Sequence, residues 1–78
     1  MPLITVKMHS GRTKEERNKL ADDLFQAIQD SLGVPARAVT VDIQEVPKEE
    51  WEEKVANVEM YPRQEQLYYL RGEKKEQE

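Results

Sequence analysis

The 78-residue sequence has no cysteine, so a disulfide framework and a thiolate metal site are both excluded. Its single histidine rules out a multi-histidine metal site within one chain. No apolar run approaches the roughly 20 residues of a membrane helix. The first residues lack the basic and apolar regions of a secretory signal, and the expectation is a cytoplasmic protein with no membrane partner. Basic charge is also short: the formal net charge is −4, with 36% charged residues. That balance argues against a nucleic-acid partner, which calls for a basic face to replace counterions. The length fits one small domain over 1–78, with 71–78 read as a frayed tail. A chain this short builds a thin core. Without staples, self-association is the expected source of further buried surface.

Two stretches alternate like half-buried strands. In LITVKMH, residues 3–9, Ile4, Val6 and Met8 fall on one face, with Leu3, Thr5, Lys7 and His9 on the other. In VTVDIQEV, residues 39–46, Val39, Val41 and Ile43 share a face, opposite Thr40, Asp42 and Gln44. Between them lies a helical pattern over 13–32. Thr13 and Glu16 form a capping-box pair, and Leu20, Ala21, Leu24, Ala27, Ile28 and Leu32 recur on one side. Gly33 suits the left-handed position after a helix, and Pro35 follows. Strand, helix, strand predicts a βαβ unit with a right-handed crossover and parallel strands. The fold class is therefore α/β (α+β): a single β-α-β unit with a C-terminal extension, completed by oligomerisation. A short helix from Pro47 is consistent with PKEEWEEKV. The segment from Met60 to Leu70, rich in tyrosine around Pro62, reads as a turn, a further helical turn or a contact between copies.

The chemistry worth noting lies at the start, M-P. If Met1 is removed, Pro2 becomes a terminal secondary amine, a base that needs no side chain. A general base works best with a pKa near the working pH. A secondary amine exceeds the α-amino range of about 7.7–8.0. It therefore needs an apolar wall and a nearby cation to lower its pKa. Arg12, in the loop S-G-R-T, is one candidate cation; it could equally grip a substrate carboxylate with two parallel hydrogen bonds, or be a solvated loop arginine. Trp51, the only tryptophan, is a candidate wall, a core anchor or an interface residue.

Taken together, M-P before a strand, G-R at 11–12, S-L-x-x-P at 31–35 and V-x-V-x-I-x-E at 39–45 resemble the 4-oxalocrotonate tautomerase family. The resemblance spans about residues 2–51. The longer C-terminal stretch, with Trp51 and Pro62, is more similar to the dimeric, PptA-like branch than to the short hexameric one. The resemblance implies a tautomerase that interconverts enol and keto forms of a 2-oxo acid, with no metal and no organic cofactor. It implies Pro2 as the general base, Arg12 binding the substrate carboxylate, often across a subunit boundary, and Trp51 lining an apolar pocket. The implied partners are a small carboxylate-bearing enol and further copies of the chain, as homodimer or homohexamer. One departure stands out: hexameric members carry a second arginine where this chain has Thr40, with Arg37 three residues upstream. Two alternatives accompany this reading. One is a non-catalytic oligomeric binding module on the same fold. The other is a member that adds water to, or decarboxylates, unsaturated acids.

Overall fold

The computed structural model describes residues 1–77. Its contacts divide the chain into two compact units, Met1–Val46 and a second beginning at Pro47. The first unit is the β-α-β element expected. Strand β1 (Leu3–His9) and strand β2 (Thr40–Val46) flank helix α1 (Lys14–Leu32). The strands pair in parallel, with Leu3 opposite Thr40, Val6 opposite Ile43 and His9 opposite Val46. Strand β2 begins one residue later than the alternation suggests. The Val39 amide is taken by the Ala36 carbonyl at 3.1 Å, closing a 3-10 turn over Ala36–Ala38.

Helix α1 forms where its ends are satisfied. The Thr13 hydroxyl accepts from the Glu16 amide at 3.1 Å, and the Glu16 carboxylate accepts from the Thr13 amide at 2.9 Å. Two orphan donors of the first turn are thereby filled. At the other end Gly33 adopts φ 67°, ψ 26° and its amide returns to the Gln29 carbonyl. Only glycine takes that left-handed geometry without a Cβ penalty. Helix α1 packs on β2, and register pairing puts Ile4 beside Val41 and Val6 beside Ile43 on one sheet face.

The stripe of α1 differs from the expected one at three places. Ala27 and Leu32 are exposed, whereas Phe25 joins Leu20, Ala21, Leu24 and Ile28 in the half-buried set. A two-stranded sheet is too narrow to cover a stripe that runs to the helix end. No residue of this unit is fully buried, and Leu3 and Leu32 remain 66% and 59% exposed.

The second unit starts with a 3-10 turn (Lys48–Glu50), followed by a nine-residue π-helix (Glu52–Met60) and a 3-10 segment (Tyr61–Gln66). Its wide i→i+5 turns differ from the short helix expected from Pro47 on. Val55 and Ala56 on the π-helix are the buried residues among those described. The sequence suggests a frayed tail over 71–78; residues 71–74 instead belong to a hairpin, residues 75–77 lie in no helix or strand, and residue 78 lies outside the described residues. Strands β3 (Tyr69–Leu70) and β4 (Glu73–Lys74) pair antiparallel around Arg71-Gly72. Both turn residues take positive φ, 50° and 85°, the geometry whose twist matches that of the strands it joins. The Gln77 side chain then donates to the Leu67 carbonyl at 2.6 Å and the Glu65 carbonyl at 3.2 Å. A charged composition hides these local main-chain partners.

A Cβ at Gly33 would meet no neighbouring atom, so only backbone strain opposes it. Gly33→Ala is expected to cost about 1 kcal/mol, and Gly33→Asn clearly less. Denaturant midpoints at fixed protein concentration test this; equal midpoints for the Ala variant and the native chain would contradict the assigned cap.

Candidate active site

Pro2 stands immediately ahead of β1, half-buried. Its carbonyl accepts from the Thr40 amide at 3.1 Å, which extends the ladder by one bond and needs no donor from proline. Because the strands run parallel, this end of the sheet also holds the start of β2 and the Ala36–Ala38 turn that carries Arg37. Met1 is 98% exposed. While it is attached, the Pro2 nitrogen is an amide and has no basicity.

Arg12 lies beyond the other end of β1. Seven residues of strand rise about 20 Å, so Pro2 and Arg12 of one chain stand at opposite ends of the sheet. The expected base and the expected carboxylate anchor are therefore not brought together within a copy. Trp51 belongs to the second unit, half-buried at the head of the π-helix, where its amide donates to the Lys48 carbonyl.

The surroundings of Arg12 are built in detail. Its Nη1 lies 3.4 Å from the Glu16 carboxylate, an exposed pair of the kind worth a few tenths of a kcal/mol. Such a pair orients the guanidinium without withdrawing it from a competing anion. Beside it is a cavity of about 400 Å³ lined by Met8, Arg12, Glu16, Lys19, Leu20 and Asp23. Met8 and Leu20 supply apolar surface, and Lys19 and Asp23 pair with each other at 2.7 Å.

The sequence patterns assign no role to two residues near Arg12. Arg17 Nη1 donates to the Arg12 carbonyl at 2.7 Å and lies 3.3 Å from Glu45 Oε1. Glu45 Oε2 in turn accepts from the Gly11 amide at 3.3 Å. Glu45 closes the V-x-V-x-I-x-E pattern, but its partner sits 28 residues away in sequence. Among the described residues no group of three or more His, Asp or Glu could hold a metal ion, and no helix is long and apolar enough to cross a membrane.

The family model described as tautomerase enzyme matches residues 2–54, a span that includes Pro2, Arg12 and Trp51. The 2-hydroxymuconate tautomerase of Pseudomonas putida is 39% identical over 51 residues, 65% of this chain and 81% of that protein. A chain of a heterohexameric 4-oxalocrotonate tautomerase from Chloroflexus aurantiacus superposes with a TM-score of 0.63 at 35% identity, covering 77% of this chain and 94% of that one. TomN, a 4-oxalocrotonate tautomerase homologue of the tomaymycin biosynthetic pathway, gives the same TM-score and identity over 81% of this chain and 94% of its own.

The Thr13 main-chain N–H holds the Glu16 carboxyl below the ordinary glutamate range; the Thr13 hydroxyl and Arg12 guanidinium add to the effect, and partial desolvation opposes it. A lowered folded-state value contributes stability above the unfolded value of about 4.3, which is lost as pH falls through the folded one. Glu16→Gln keeps an acceptor for Thr13 but does not titrate. It is expected to give a shallower loss of helical circular dichroism below about pH 5. An acid limb identical to that of the native chain would remove Glu16 from this linkage.

Proposed function

This chain belongs to the 4-oxalocrotonate tautomerase family of the tautomerase superfamily, and on that premise we propose that it interconverts the enol and keto forms of a 2-oxo acid. Pro2, freed by removal of Met1, is the general base. Its neutral nitrogen takes the proton of the enol hydroxyl as the carbonyl forms, and the resulting ammonium returns a proton to the adjacent carbon. Protons balance over the cycle, and the amine is regenerated. Arg12 of a second copy binds the substrate carboxylate, and Trp51 lines the apolar side of the pocket.

The observation that carries this reading is the separation of Pro2 and Arg12 along β1. A small enol cannot touch both in one chain, whereas copies packed so that the Arg12 end of one meets the Pro2 end of another would join them. The open sheet and the exposed Leu3 and Leu32 favour such packing. Burying a leucine side chain is worth about 1.5–3 kcal/mol. The exposure of Met1 and the small size of proline favour aminopeptidase access. A cation and an apolar wall brought near the amine would lower its pKa toward neutrality. The assembly is read as a homo-oligomer.

Pro2→Ala is expected to leave the oligomer intact and to slow ketonisation of phenylenolpyruvate by about 100-fold or more. Full activity of that variant would remove Pro2 as the base. Material shown by intact mass to retain Met1 is expected to be inactive. Arg12→Ala is expected to raise KM for phenylenolpyruvate about tenfold or more, while sparing the enol of phenylacetaldehyde, which is the same molecule without its carboxylate. Tenfold corresponds to about 1.4 kcal/mol, close to the lower end of about 1.5–3 kcal/mol for a hydrogen bond to a charged group.

A further inference from the structure

We infer that Arg17 and Glu45 are positioning residues that hold the Arg12 loop in the geometry needed to reach a substrate; this rests on the reading that Arg12 binds the carboxylate. Three bonds converge on three consecutive residues, and a fourth contact ties the two clasping side chains to each other. The Ser10 amide donates to the Val46 carbonyl at 3.1 Å, and the Gly11 amide to Glu45 Oε2 at 3.3 Å. The Arg12 carbonyl accepts from Arg17 Nη1 at 2.7 Å, and the same nitrogen meets Glu45 Oε1 at 3.3 Å. One carboxylate and one guanidinium thus clasp the loop from the strand side and the helix side.

The loop calls for such a clasp. Gly11 has φ 120°, a region open to glycine and little else, so the segment has wide conformational freedom when unrestrained. Arg17 is also placed against its local interest. It stands in the first turn of α1, where the helix dipole disfavours a cation. It lies four residues before Ala21 on the half-buried stripe, a position where an apolar side chain would suit packing. The two side chains are 34% and 29% exposed, so their attraction is less screened than that of the outer pairs. A shift of about 1 Å in a substrate-binding group can cost about 100-fold in rate, so a modest loosening of this loop has a measurable effect.

The test compares phenylenolpyruvate with the enol of phenylacetaldehyde in five variants. Arg17→Ala and Glu45→Gln are each expected to raise KM for phenylenolpyruvate about tenfold, with the carboxylate-free enol and the oligomeric state unchanged. Glu45→Gln keeps one acceptor for Gly11, which protects the fold. Arg17→Lys keeps charge and donors, and is expected to recover most of the affinity. On an Arg12→Ala background, Arg17→Ala is expected to have no further effect on phenylenolpyruvate. Equal losses on both substrates, or an undiminished loss on the Arg12→Ala background, would overturn the clasp and leave Arg17 and Glu45 as general stabilisers. An Arg12→Ala single variant that binds phenylenolpyruvate like the native protein would instead overturn the carboxylate reading beneath it.

Discussion

The parallel pairing of β1 with β2 is the constraint from which the rest of the first unit follows. Parallel neighbours cannot be joined by a tight turn, so the chain must travel back along the sheet before β2 begins. Helix α1 makes that return. Both strands consequently start at one end of the sheet and finish at the other. Pro2, Thr40 and the turn bearing Arg37 gather at the first end. Gly11, Arg12, Glu45 and Val46 gather at the second. With antiparallel strands Thr40 would instead fall at the Arg12 end, and Glu45 at the Pro2 end, out of reach of Gly11.

The same pairing leaves the unit thin. One helix on two strands covers a single sheet face, and none of the residues there is buried in the isolated chain. Domains of this size bury too little apolar surface to be comfortably stable alone. Association of copies would supply the missing burial, and in the proposed reading it would also bring an arginine to a proline. Stability and catalysis would then depend on one set of contacts, so catalysis would be confined to the assembled state.

Around Arg12 the charges are organised at two levels. Glu16 and the capping box hold its side chain from the helix. Arg17 and Glu45 hold its main chain between helix and strand. Each contact is weak by itself, as partly exposed ion pairs are. Their convergence on three loop residues is what restricts a segment that glycine would otherwise leave loose.

Periodicity and caps make the first unit legible in the amino-acid order. Alternation marks Leu3–His9 and most of β2, and Thr13, Glu16 and Gly33 mark the ends of α1 to within a residue, because these signals act over two to four positions. The family is legible for a related reason: the proline at position 2, the G-R pair and the strand-two pattern sit at fixed spacings. The hairpin at Arg71-Gly72 and the exposure of Leu32 are not legible, since main-chain partners and sheet width leave no trace in composition. Neither is the Arg17–Glu45 contact, which joins residues 28 positions apart. Residue order thus marks the elements of the first unit and points to Pro2 and Arg12 as candidate groups. Folding alone brings Glu45 and Arg17 to the Arg12 loop and closes the clasp on it, because side-chain convergence is a property of the chain in three dimensions.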